Sequence, residues 1–137
     1  MSKPFVSDIQ IIDIPTFLDE RGGLSVLQSG MDIPFEISRI FYTYGMGVGV
    51  ERGAHAHKTC WQLLVCVNGF MQIESTDALA KKTFKLDSPT KGLLVPPLIW
   101  STQFGYSPGA VCLVLASEIY SKDEYINDFE DFVSLRK

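Results

Sequence analysis

Gly49-Val50-Glu51-Arg52-Gly53-Ala54-His55-Ala56-His57-Lys58-Thr59-Cys60-Trp61-Gln62-Leu63-Leu64-Val65-Cys66-Val67-Asn68-Gly69 contains both histidines of the chain and its clearest turn signal. Side chains on a strand alternate with period two, so His55 and His57 share one face. Ala54 and Ala56 point the other way and leave the imidazole face uncluttered. Gly53 lets backbone or ligand approach closely. Further on, residues 63–67 are apolar on both faces, as befits a strand between two covered surfaces. Asn68-Gly69 then reads as a tight turn into the next apolar run.

Outward from this stretch the chain keeps one texture. Short β-rich runs separated by Gly, Pro, Asp and Ser place strands at residues 8–14, 23–28, 38–44, 53–57, 61–68, 70–75, 82–86, 92–95, 99–104 and 110–117. Many short strands at regular spacing indicate an all-β jelly roll. The end changes character: Ser121 reads as a cap, Asp123 and Glu124 as first-turn acids, and Tyr125, Phe129, Phe132 and Val133 as a helical stripe. A short C-terminal α-helix packed on the barrel is expected.

The chain has 137 residues, 46% of them hydrophobic and 12% aromatic. That reads as a single folded domain over residues 1–137 with a sizeable core. A net charge of −4 and the absence of a basic stripe argue against nucleic acid as a partner. There is no long apolar run for a membrane and no signal-peptide pattern at the start. Cys60, Cys66 and Cys112 form an odd count without zinc-like spacing. Cys66 and Cys112 lie in apolar runs and read as buried thiols, so the expected compartment is the cytoplasm.

The frame of the histidine pair is specific. Five residues separate Gly49 from His55, four separate His57 from Gln62, and six separate Gln62 from Gly69. This resembles the first motif of the cupin superfamily, a double-stranded β-helix, except that Gln62 stands where the superfamily has Glu. The segment Gly92-Leu93-Leu94-Val95-Pro96-Pro97-Leu98-Ile99-Trp100-Ser101 approximates the second motif, with Ser101 at the position of a fourth ligand. An amide and a hydroxyl are poor ligands for a transition metal beside two imidazoles. Acid–base chemistry without metal or cofactor is therefore expected.

A narrower resemblance covers nearly the whole chain. It rests on Asp19-Glu20-Arg21-Gly22-Gly23-Leu24, Ile33-Pro34-Phe35, Arg39-Ile40-Phe41-Tyr42, Arg52 through Lys58, Gln62 through Gly69, Leu86-Asp87-Ser88-Pro89, Trp100, and Leu115-Ala116-Ser117 leading into Tyr125-Ile126. In that order these motifs resemble the nucleotide-sugar 3,4-ketoisomerases of the WxcM-like cupins. The resemblance implies a homodimer acting on dTDP-4-keto-6-deoxyglucose in the making of 3-amino sugars for surface polysaccharide. It also implies that Gln62 is a family trait.

Ketone transposition requires a base for the C3 proton, proton transfer between O3 and O4 of an enediol, and protonation at C4. An imidazole that titrates near neutrality suits all three steps. His57 is assigned as the main base, His55 as its partner, and Tyr42 as a donor or relay at the sugar oxygens. A guanidinium fork matches phosphate oxygens, which makes Arg52, then Arg21 and Arg39, the candidates for the diphosphate. Gln62 is expected to bond a sugar hydroxyl, Trp100 to wall the sugar pocket, and Ser101 to leave room for a water or a rotated sugar. Three other readings stay open: a nucleotide-sugar 3,5-epimerase-like cupin, a metal-dependent cupin oxygenase and a non-catalytic sugar-binding cupin.

Overall fold

In the computed structural model, which describes residues 3–137, the alternation of the opening stretch becomes a two-sheet sandwich. In chain order the strands are β1 (Gln10–Asp13), β2 (Thr16–Asp19), β3 (Gly22–Ser25), β4 (Arg39–Thr43), β5 (Arg52–His57) and β6 (Gln62–Asn68). They continue as β7 (Met71–Thr76), β8 (Lys81–Leu86), β9 (Lys91–Val95), β10 (Trp100–Phe104), β11 (Val111–Ala116) and β12 (Tyr125–Ile126), followed by helix α1 (Phe129–Arg136). One sheet runs β1-β9-β6-β11-β4 and the other β12-β5-β10-β7-β8, while β2 and β3 pair only with each other. All named strand pairings are antiparallel. This is the jelly-roll architecture expected of an all-β cupin, with its short C-terminal α-helix.

Strand β6 shows why its sequence is apolar on both faces. Leu64 and Cys66 point between the sheets, with Leu93, Val95, Cys112 and Val114 from their own sheet and Met71, Ile73, Phe84 and Leu86 from the other. Leu63 and Val65 point outward, where with Leu115 of the neighbouring strand they cluster with Ile14 and Ile33. Gly69 has φ +77°, and a Cβ there would lie 2.2 Å from Ser107 Oγ, so this turn requires glycine. The three cysteines are free and buried. Burial pushes the Cys112 thiol up to about 12, which leaves it protonated and inert at neutral pH.

A third cluster lies outside the second sheet. Ala56, the residue between the histidines, packs there with Ile126 and Phe132, flanked by Leu98, Trp100 and Val133. Alternation thus gives β5 two jobs: histidines inward, and Ala56 outward under the C-terminal segment.

That segment departs from the expected helix. Ser121 precedes a single 3-10 turn over Lys122–Glu124 and makes no side-chain cap. Tyr125 and Ile126 then extend as β12 and pair with His57 and Ala56. The α-helix begins only at Phe129, where the Asp128 side chain accepts from the Asp131 backbone N–H. Pairing with β5 outweighs the local helical spacing at Tyr125. The strand expected at residues 23–28 is β3 of a hairpin whose other strand, Thr16–Asp19, the sequence pattern does not mark.

Candidate active site

The inward faces of β5, β6 and β10 meet in a pocket lined by Gly53, His55, His57, Gln62, Ser101 and Gln103, floored by Leu64, Val95 and Ile99. The imidazoles of His55 and His57 stand edge to face, their centroids 5.0 Å apart and their planes at 88°. The ring of Tyr125 lies 4.5 Å from that of His57 and 5.0 Å from that of His55. Ser101 sits across from His55 on one side and from Ser75 on the other, and its hydroxyl lies 2.8 Å from that of Ser75.

His57 is buried. Its Nδ1 lies 2.6 Å from Glu124 Oε1, and its Nε2 is enclosed without a hydrogen-bond partner. The other oxygen of Glu124 accepts from the backbone N–H groups of Thr59 and Cys60, both at 3.0 Å. Burial and the neighbouring His57 push the His55 imidazole down from its ordinary range, against a backbone hydrogen bond at Gly53 and the field of Glu124. His55 is therefore neutral at pH 7 and keeps a lone pair available.

Arg52 is exposed at the start of β5, just before a break in the strand. Gly53 and Ala54 both have positive φ, and the β5–β10 register shifts between Ser101 and Thr102. A bulge of this kind re-aims the residues beyond it. Arg52 consequently pairs across from Gln103, a residue that lines the pocket, while Arg52 itself is not among the lining residues. A Cβ at Gly53 would lie 3.1 Å from the Ser101 carbonyl, so the bulge depends on that glycine.

Three assigned residues are placed elsewhere, and Arg39 stands beside the pocket. Trp100 is one residue from Ser101 and so faces the opposite side of β10, where it packs on Phe129 and Phe132 at 5.2 and 5.8 Å; it does not wall the pocket. Tyr42 is 60% exposed and lies across from Leu113, on the outer face of β4, so it does not reach the histidines of its own chain. Arg21 forms an ion pair with Asp19 at 2.6 Å at the exposed turn of the β2–β3 hairpin. Arg39 instead donates to the Tyr125 hydroxyl at 3.2 Å, and its guanidinium lies 5.2 Å from the Phe41 ring centroid.

The superfamily's metal set does not fit these residues. Ser101 Oγ is bonded to Ser75, Gln62 is a neutral amide, and His57 Nδ1 is committed to Glu124. His57, Cys60 and Glu124 do bring three donor atoms within 4.8 Å of one another. The Glu124 oxygens there are already occupied by the imidazole and two backbone N–H groups.

Glu124 and Asp77 predict an acid limb of stability. Burial alone would raise each carboxyl. Glu124 nevertheless lies below its ordinary value because His57, Thr59 and Cys60 bond it. Asp77 does so because the backbone N–H groups of Val6, Ala80 and Leu79 bond it, with Arg136 adding its field. A depressed native pKa supplies stability that is present above the unfolded value and lost as pH falls through the native one. The thermal midpoint is expected to hold across neutral pH and to fall below about pH 4. Asp77→Asn is expected to flatten part of that fall; a wild-type acid limb in the variant would contradict this.

Comparison with known proteins gives relatives for nearly the whole chain. The family described as FdtA: WxcM-like, C-terminal, matches residues 7–137. The chain is 35% identical over 123 residues to a TDP-4-oxo-6-deoxy-alpha-D-glucose-3,4-oxoisomerase of Aneurinibacillus thermoaerophilus, covering 90% of this chain and 88% of that one. Among solved structures, the sugar 3,4-ketoisomerase QdtA of Thermoanaerobacterium thermosaccharolyticum, in complex with TDP, superposes with a TM-score of 0.94 at 32% identity over 96% of both chains. A 3,4-ketoisomerase of Helicobacter canadensis superposes with a TM-score of 0.92 at 37% identity, over 94% of this chain and 97% of the other.

Proposed function

The chain belongs to the WxcM-like, C-terminal family, and on that premise we propose that this 3,4-ketoisomerase converts dTDP-4-keto-6-deoxy-D-glucose into a dTDP-3-keto-6-deoxyhexose. The observation that carries the reading is the histidine pair lining one pocket, with His57 Nε2 enclosed and unpartnered. A buried lone pair with no protein donor is what a proton-abstracting base needs.

The C4 ketone acidifies the C3–H bond, and His57 Nε2 takes that proton. The electron pair moves into a C3–C4 double bond and O4 gains a proton, giving the enediol. A proton is then delivered to C4, O3 loses its own, and the ketone stands at C3. His55, neutral and 5.0 Å away ring to ring, serves as partner in proton delivery. The two imidazoles form one coupled acid–base unit. Gln62 and Ser101 face the sugar from β6 and β10, and Arg52 at the bulge takes the diphosphate. The donor set supports chemistry without metal or cofactor.

The direct test is incubation with dTDP-4-keto-6-deoxyglucose in deuterium oxide, followed by NMR. The expected product carries its ketone at C3 and deuterium at C4. A sugar spectrum that never changes would overturn the reading in favour of a binding protein.

A homodimer is part of the proposal. The β2–β3 hairpin pairs with no other strand and exposes Phe17, Leu18 and Leu24 at 67%, 78% and 57%. Ile40 and Tyr42 add exposed apolar surface on β4. Apolar surface of this kind marks an interface, and a second copy of the chain is the occupant the family resemblance suggests. Arg21 at the hairpin turn then becomes available to the partner's site. Light scattering at micromolar concentration is expected to give about twice the 15.3 kDa chain mass; a fully active monomer would contradict it. No helix among the described residues is long and apolar enough to cross a membrane, and we place the enzyme in the cytoplasm, beside its nucleotide-sugar substrate.

A further inference from the structure

We propose that Glu124 is the positioning residue that fixes the tautomer of His57 and so directs a bare Nε2 at the sugar. The inference rests on the ketoisomerase reading for its catalytic consequence, but its structural content stands independently.

The carboxylate is fully committed. Oε1 faces His57 Nδ1 at 2.6 Å, and Oε2 accepts from the backbone N–H groups of Thr59 and Cys60, both at 3.0 Å. An ionised carboxylate only accepts hydrogen bonds. Nδ1 must therefore carry the proton, and the lone pair of the neutral ring falls on Nε2. The same carboxylate stabilises the imidazolium that forms once Nε2 has taken the C3 proton, as an acid behind a catalytic histidine does in general. Glu124 never touches the sugar: it is buried behind the imidazole.

The arrangement is built by the chain segment that local spacing assigns to a helix. The 3-10 turn over Lys122–Glu124 brings the carboxylate to β5. The Lys58 backbone N–H donates to the Glu124 carbonyl at 2.9 Å, and Tyr125 pairs with His57. The acid is thus clamped from both sides to the strand whose histidine it orients.

Glu124→Gln separates positioning from structure. Two backbone N–H donors require the amide oxygen, because turning the NH2 toward them would leave buried donors unpaired at about 1–3 kcal/mol each. The NH2 must then face His57 Nδ1, which becomes an acceptor, and the proton moves to Nε2. The base is blocked while the fold and the hydrogen-bond count are kept.

The experiment combines two-bond 1H–15N NMR of the His57 ring with steady-state kinetics on dTDP-4-keto-6-deoxyglucose. The wild-type ring is expected to show Nε2 as the unprotonated nitrogen, and Glu124→Gln to show Nδ1 instead. In Glu124→Gln kcat is expected to fall about 10²-fold or more with little change in KM. Glu124→Asp, which keeps the carboxylate, is expected to retain the wild-type tautomer and recover part of kcat. A wild-type ring with its proton on Nε2 overturns the proposal without any variant. An unprotonated Nε2 in Glu124→Gln, or a kcat within about threefold of wild type despite the switch, overturns it as well. A wild-type protein with no turnover sinks the ketoisomerase reading while leaving the tautomer assignment to be judged by the spectra.

Discussion

His57→Asn is expected to lose turnover by about 10²–10⁴-fold, the usual cost of removing a general base. In free energy that is about 3–5 kcal/mol of transition-state stabilisation. Asparagine keeps a side chain of comparable polarity on the inward face of β5 but has no basic nitrogen at neutral pH. In the proposed mode of binding Arg52, and not this imidazole, takes the diphosphate, so affinity for TDP is expected to stay within about threefold. Glu124 keeps two backbone N–H partners in the variant, so the fold is expected to survive. Kinetics, titration calorimetry with TDP and circular dichroism together check the three parts. A near-normal kcat would move the base role to His55. A lost fold would instead show that the His57–Glu124 contact is needed for stability.

The parts of this protein legible in its sequence are those governed by strict alternation. The segment over residues 63–67 read as a doubly covered strand because Leu64 and Cys66 enter one cluster while Leu63 and Val65 enter another. The His55 and His57 pair shares a face for the same reason. Alternation also separates Trp100 from Ser101: if Ser101 faces the pocket, its neighbour Trp100 faces the other side of β10. Arg52 is the opposite case. Its pairing with Gln103, a pocket residue, depends on a bulge at Gly53 and Ala54, and Gly53 is the local sign of that bulge. Tyr42 required knowing which parity of β4 faces inward; Arg39 and Phe41 take that side. Phe129, Phe132 and Val133 keep helical spacing because they lie on α1; Tyr125, four residues before Phe129, fits the same period but stands on β12, directly after Glu124. What separates them is tertiary pairing of Tyr125 with His57, which local propensity does not encode.

Phe132→Ala is expected to destabilise the protein by about 3–5 kcal/mol, the range for deleting a buried aromatic ring without full collapse of its site. Phe132 has no exposed surface. It packs with Ala56 and Ile126 and lies 5.8 Å from the Trp100 ring and 5.7 Å from that of Phe129. Ala56 is too small to fill the space a lost ring leaves, and the strand that carries it is held in its sheet between β12 and β10. The cost is therefore a cavity plus the lost transfer energy. Domains of this size hold only about 5–15 kcal/mol in total, so the variant stands close to its unfolding threshold. The ring also ties α1 to the back of β5, and with it β12, which sets Tyr125 against both histidines. Urea unfolding is expected to show a lower midpoint with an unchanged slope, as a loss of stability without a change in the denatured state requires. Val133→Ala, at a half-buried position on the same helix, serves as the contrast and is expected to cost less than half as much. A Phe132→Ala midpoint equal to that of Val133→Ala would show that the helix is an appendage and not the outer wall of the histidine strand.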